Sequence, residues 1–253
     1  MVNTEPHRSP DKADLLTVAI GDVHGHLDKL EGLLQRIRRH ADGSSTRLVF
    51  IGDYVDRGPA SRGVIELLME MTARDPDGVI CLRGNHEAVV VAAAADRFET
   101  LPKVDFDTWM NLGGGAATLR SYGVATASDL PADHVDWMVS RPVSFDDGLR
   151  LYVHAGVNPE RTLGDQRDDD MIWIREPFLS HARMFDRLIV HGHTPVSARI
   201  PDWRANRLNL DTAAGYGGPL TAAVFNATRR EPLAFLTHDR DSPLRADLFE
   251  KRC

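Results

Sequence analysis

A chain of 253 residues with 42% hydrophobic and 26% charged side chains has the make-up of a globular protein, long enough for one large core or two small ones. Its formal net charge of -7 argues against a broad nucleic-acid or anionic-membrane footprint, while leaving room for a local basic pocket that binds small anions. Its two cysteines, Cys81 in an apolar run and Cys253 at the end, argue against a disulfide framework.

Residues 1–14, MVNTEPHRSPDKAD, contain two prolines and no apolar signal region, and read as a flexible N-terminal tail ahead of a single domain over 15–253. No stretch reaches the roughly 18 apolar residues a membrane span needs, so a cytoplasmic location is expected. LLTVAIGD, 15–22, is rich in β-branched residues and stopped by Gly-Asp, which predicts a buried strand. Leu27, Leu30, Leu33, Leu34 and Ile37 then recur at helical spacing, predicting a helix over 26–40. RLVFIGD, 47–53, repeats the strand and its ending; SRGVIELLMEMTAR, 61–74, repeats the helix; GVICLRGNHE, 78–87, is a third strand. Strand and helix in this alternation predict a βαβαβ unit with a largely parallel sheet.

After Glu87 the pattern becomes helical or loop-like, so an inserted helical cap is expected over about 88–141, with Asp129 capping a helix in ADHVDWMV and Pro131 in its first turn. RPVSFDDGLRLYVHAG, 141–156, predicts a hairpin closed around DDG, and the acidic run GDQRDDD, 164–170, a solvated loop. RLIVHGHTPV, 187–196, is again a strand with a glycine turn, and SARI, NRLNLDTAA, GPLTAAVFNA and EPLAFLT supply further short strands. The fold class expected is α/β, with two mixed β-sheets packed as a sandwich and helices outside.

Five of these strands end in side chains that can bind metal: Asp22 and His24; Asp53 and Asp56; Asn85 and His86; His154; and His193. Carboxylates, imidazoles and one amide form a hard-to-borderline donor set, suited to manganese, iron, zinc or a mixture. Asp and Asn ahead of helices often serve only as caps, but capping leaves the repeated imidazoles unexplained. If two cations sit about 3.5–4 Å apart, a carboxylate must bridge them, and Asp53, beside a glycine at a strand tip, is the natural bridge. His191 competes with His193, because strand alternation places both on one face. Trp173 reads as core, Trp109 and Trp137 as packing of the cap or its rim, Asp211 as a loop support, and Tyr216 as a candidate wall of the cleft.

Taken together, GDVHG, GDYVDRG, GNHE, HAG and GHT resemble the signature of the calcineurin-like metallophosphoesterases, and more narrowly of the serine/threonine phosphoprotein phosphatases of bacterial and phage type, over about residues 16–225. The phrase DDDMIWIREPFL is similar to bacterial members that carry an arginine after a tryptophan here. The resemblance implies a phosphomonoester hydrolase with two metal ions and an activated hydroxide, acting on phosphoserine or phosphothreonine in proteins; the alternative is a dinucleoside polyphosphate hydrolase. It implies Asp22, His24 and His193 on one metal, Asn85 and His154 on the other, and Asp53 between them. His86 would be the acid, Asp56 its orienting carboxylate, and Arg57, Arg83 and Arg175 the phosphate binders, with Glu87 structural. The expected partners are a phosphoprotein or small phosphoester, with no stable nucleic-acid binding, no membrane, and a monomeric chain.

Overall fold

The structure, a computed structural model, describes residues 15–101 and 104–245, so the tail expected over 1–14 lies outside the described residues. The chain opens with β1 (Leu16–Ile20), α1 (Leu27–Ala41), β2 (Thr46–Phe50), α2 (Ser61–Arg74), β3 (Val79–Cys81) and α3 (Asn85–Ala94). A helical stretch follows: α4 (Phe106–Thr108), which runs into a π-helical turn over Trp109–Gly113, then α5 (Gly115–Tyr122) and α6 (Ala132–Val139). The second half contains β4 (Ser144–Asp146), β5 (Arg150–Val153), α7 (Asp168–Trp173), β6 (Leu188–His191), β7 (Asp202–Trp203), β8 (Arg207–Asn209), β9 (Thr221–Phe225), β10 (Ala234–Thr237) and β11 (Leu244–Arg245).

These strands form two mixed sheets, one in the order β11-β10-β9-β1-β2-β3 and the other β4-β5-β6-β8-β7. In the first, β1, β2 and β3 are parallel, and in the second, β5, β6 and β8 are parallel. Alternation sorts the side chains. Along β1 and β2, Val18, Ile20 and Phe50 face α1 and α2, where Leu30, Leu33, Leu34 and Ile37 form the buried stripe of α1. Ala19, Val49 and Ile51 turn the other way and meet Tyr152, Val190 and Leu208 of the second sheet. The outer face of the second sheet is covered by Met171 of α7 and by Phe178. The carboxyl ends of β1, β2, β3, β5 and β6 therefore collect along one edge of the sandwich, and the loops leaving that edge carry the polar residues singled out above.

Three local expectations are corrected. Asp129 does not cap α6: its carboxylate accepts from the Thr126 N–H and hydroxyl and closes a short 3-10 turn, while Pro131 takes the N-cap of α6. The acidic run is no loop at its end, because Asp168, Asp169 and Asp170 form the first turn of α7, where negative charge suits the helix dipole. SARI, 197–200, forms a turn with Arg199 at φ 55°, and the strand begins only at Asp202.

Far from that edge, a buried ion pair ties the sheets together. The Arg150 guanidinium, at the start of β5, meets Asp147 at 2.6 Å and donates to the carbonyls of Asn226 and Arg229, just past β9. Arg150→Ala would take the cation from the Asp147 carboxylate, leaving it only the N–H groups of residues 149 and 150 and the Tyr152 hydroxyl, and would strip the donor from two carbonyls; it is expected to cost about 3–5 kcal/mol in urea unfolding. Arg150→Lys should recover only part of this, since one ammonium cannot span the fork.

Candidate metal centre

Asp53 sits three residues past the end of β2, at φ 56°, after Gly52 at φ 101°. A side chain at Gly52 would press on the backbone of Gly84 and on the His154 ring, so only glycine lets these three loops meet. Asp53 is held from several sides. Its carbonyl accepts from the N–H groups of Val23 and His24, and its Oδ1 accepts from the His86 N–H at 3.1 Å. The buried Glu87 carboxylate accepts from the N–H groups of Asp53, Tyr54, Val55 and Gly84, at 2.7–3.3 Å, binding the β2 and β3 loops to each other.

Two groups of donors share Asp53. One contains His24 and His86, the other His154 and His193, with donor atoms within 4.8 Å of one another in each group. His24 donates Nδ1–H to the Val55 carbonyl and His154 donates Nδ1–H to the Ile51 carbonyl, both at 3.0 Å. Those bonds turn the Nε2 edge of each ring into the site. His154 Nε2 lies 3.2 Å from Asp53 Oδ1 and 2.8 Å from Asn85 Oδ1, and His24 Nε2 lies 3.5 Å from Asp53 Oδ2.

His193 Nδ1 stands 2.7 Å from Asn85 Oδ1 and 3.2 Å from His154 Nε2. Its side chain thus joins the Asn85–His154 group, whereas the resemblance put it with Asp22 and His24; only its backbone N–H meets Asp22, at Oδ2. His191 ends β6 and is buried against Phe178 and Arg207, away from the donors. Alternation fails to place both histidines on one face because β6 stops at His191 and His193 turns at φ 67°.

The electrostatics suit a cation. Burial, Asp211 and Asp53 push the Asp22 carboxyl well above the usual carboxylate range, and Asp22 Oδ1 and Asp211 Oδ2 are buried oxygens with no hydrogen-bond partner among the described residues. Burial holds the Asp211 carboxyl at about 6 and the Glu87 carboxyl at about 7. Burial also pulls His24 and His193 well below the imidazole range, keeping them neutral and able to ligate. Orphaned carboxylate oxygens beside neutral imidazoles fit a pair of divalent cations.

Asp56, Arg57 and His86 complete the cluster. His86 donates Nδ1–H to Asp56 Oδ2 at 2.6 Å, and the Arg57 guanidinium lies against Nε2 of both His24 and His86. His24, Asp53, Asp56, Arg57 and His193 all occupy left-handed backbone that non-glycine residues rarely adopt. Strain of this kind, about 1–3 kcal/mol per residue, gathers where a site over-determines the backbone. Arg83 and Arg175 stand apart: Arg83 donates to the Val139 carbonyl and lies 3.9 Å from Asp168, and Arg175 is exposed, though near enough for its charge to depress His193.

Two tryptophans assigned to packing touch the site. Trp109 donates its indole N–H to Asp56 Oδ2 at 3.0 Å, and Trp173 lies edge-on to His193, 6.5 Å between ring centres. Both line a cavity of about 90 Å³ beside Asn85 and His86. Neither carries a sequence signal beyond its size, because each reaches the site through tertiary packing. The Arg57 guanidinium covers one face of Tyr216 at 4.5 Å, placing that half-exposed ring on the rim. A larger groove of about 480 Å³ opens between α1 and α2 near the amino ends of β2 and β3, and contains none of these groups.

Residues 15–225 match the calcineurin-like phosphoesterase family. The chain belongs to that family, and the two buried donor groups that share Asp53 could hold metal ions. It is 30% identical to serine/threonine-protein phosphatase 1 of Salmonella typhimurium, over 81% of this chain and 89% of that one. It is 32% identical to a symmetrical bis(5'-nucleosyl)-tetraphosphatase of Pseudomonas fluorescens, over 59% of this chain; the match spans about half of that relative's length, 46%. A cold-active protein-tyrosine phosphatase from a Shewanella species shares the fold, with a TM-score of 0.59 at 18% identity over 92% of this chain and 82% of that one. No helix among the described residues is long and apolar enough to cross a membrane.

Ligand removal and addition should report on the donors directly. Adding Mn²⁺ to chelator-treated protein is expected to raise its melting temperature, by the equivalent of about 2.7 kcal/mol at a hundredfold excess over Kd. Asp53→Asn should abolish most of that rise while leaving the far-ultraviolet circular dichroism unchanged; a full rise in the variant would refute a shared role for Asp53.

Proposed function

We propose that the protein hydrolyses phosphomonoesters, with phosphoserine and phosphothreonine side chains of proteins as its substrate class. One observation carries this reading: two donor groups share the Asp53 carboxylate, and beside them stand an imidazole backed by a carboxylate and a guanidinium. Asp22, His24, Asp53, Asn85, His154 and His193 would hold two metal ions, manganese, iron or zinc by the softness of the donors. When bound, these cations supply Lewis acidity toward the phosphate oxygens and a water acidic enough to attack at neutral pH.

The remaining work falls to the chain's own side chains. Arg57, fixed by its left-handed backbone and by the Tyr216 ring, would grip phosphate oxygens with its fork, and Arg175 and Arg83 would add charge from the rim. As the water oxygen bonds to phosphorus and the ester oxygen departs, that oxygen needs a proton, and His86 Nε2–H is the donor. Burial opposes the His86 imidazolium, but Asp53 and Asp56 outweigh it and raise its basicity, so a proton is available there near neutrality. The Nδ1–H bond to Asp56 fixes the ring so that Nε2 faces the cluster.

A second reading rests on Tyr216, an exposed ring over the site that offers its free face to a nucleobase, as a dinucleoside polyphosphate hydrolase would require. Names among the relatives include both activities. Comparing kcat/KM for phosphoserine, phosphothreonine and phosphotyrosine peptides and for diadenosine tetraphosphate, all with Mn²⁺, separates the readings. Phosphoserine and phosphothreonine peptides are expected to lead; a lead for diadenosine tetraphosphate, lost in Tyr216→Ala, would select the dinucleotide instead.

A further inference from the structure

The Asp56 carboxylate receives more from the helical stretch between β3 and β4 than from its own loop. Its Oδ2, already bonded to His86 Nδ1–H, also accepts the Trp109 indole N–H at 3.0 Å, and its Oδ1 accepts the Thr118 hydroxyl at 2.6 Å. The Thr118 oxygen in turn accepts the Asp56 backbone N–H at 2.9 Å. All three residues are essentially inaccessible to solvent, so water cannot replace these donors.

The local structure around Trp109 is shaped to its ring. Trp109 opens the π-helical turn, a rare departure from α geometry that recurs at functional sites. Gly115 lies flat beneath the indole, and a Cβ there would fall within 2.6 Å of the ring nitrogen. Phe98 and Phe106 flank the ring at 6.2 and 6.1 Å. The same stretch also reaches the next residue, because the Gly114 carbonyl accepts the Arg57 N–H at 3.3 Å.

We propose that Trp109 and Thr118 are positioning residues that clamp both oxygens of Asp56 and so aim the His86 ring at the leaving-group oxygen. The inference rests on the reading of His86 as the proton donor given above. Without the clamp, the Asp56 carboxylate can rotate about its own side chain, and the short bond to His86 no longer dictates where Nε2 points. The helical stretch is then part of the acid machinery as well as a wall of the cleft.

The test compares phenyl phosphate, whose leaving oxygen needs a proton, with p-nitrophenyl phosphate, whose leaving group departs with little help, on the full Mn²⁺-loaded chain. Trp109→Phe and Thr118→Val are each expected to lower kcat on phenyl phosphate about tenfold more than on p-nitrophenyl phosphate, with KM little changed. Thr118→Ser, which keeps the hydroxyl, should restore most of the loss. In a His86→Asn background neither change should lower phenyl phosphate turnover further. A second readout needs no metal: the downfield proton resonance of the His86–Asp56 bond in chelated protein should move upfield or broaden in Trp109→Phe. If His86→Asn itself slows both esters equally, the proton-donor reading fails and the clamp with it. If His86→Asn is selective for phenyl phosphate while Trp109→Phe and Thr118→Val slow both esters equally, or leave the resonance unmoved, the clamp alone is overturned.

Discussion

Everything at the strand tips depends on one buried carboxylate, that of Glu87. Glu87 accepts the N–H groups of three consecutive residues, Asp53 to Val55, and of Gly84 as well. Those N–H groups leave the strand ladder as the chain turns sharply after β2, and without an acceptor each would be a buried orphan donor costing about 1–3 kcal/mol. Glu87 satisfies them together and thereby locks the loop that carries Asp53 to the helix start that carries Asn85 and His86. A carboxylate is the right group, since a neutral amide has a single strong acceptor oxygen and cannot serve two separated sets of donors.

Around that lock the structure builds in layers. Main-chain carbonyls of Ile51 and Val55 orient His154 and His24, so the same loops that supply metal-capable side chains also orient those on other strands. The left-handed residues are tolerated because each is tied by such contacts, and the strain they store is small beside the packing of two sheets beneath them. Rigid strands carry the site and short loops aim it, a division that lets the donors be precise without the surface being stiff.

Much of this was legible in the chain itself, and the pattern of success has a physical basis. The strands and helices of the first half announce themselves because β-branched runs end in glycine and the α1 stripe keeps helical period over about three turns. The polar residues that gather at the strand tips were legible because the same device, a glycine followed by a polar group, recurs at strand after strand. What stayed hidden depends on tertiary contact. Trp109 bonds to a carboxylate 53 residues earlier in the chain, and Thr118 to the same one from 62 residues away, and no local pattern encodes such a meeting. The side-chain grouping of His193 was hidden for a subtler reason: alternation holds only while the strand continues, and one left-handed residue reverses the direction in which an imidazole points.

The electrostatic design also explains why these residues suit a charged guest better than a packed apolar core. Asp22, Asp53, Asp211 and Glu87 crowd negative charge into a region that water barely reaches, and the Asp22, Asp211 and Glu87 carboxyls respond by shifting upward. Asp53 goes the other way: burial works against its ionisation, but His154 and His86 outweigh it and hold the carboxylate charged. The one acid shared by both triads is therefore the one kept ionised, while the acids behind it carry the misfit. A misfit of this sort is removed by cations or by protons, and cations can satisfy several carboxylates at once. Metal binding and the stability of this edge are accordingly one equilibrium, with the loops ordered by the sheets beneath them and their charge balanced by what they are built to hold.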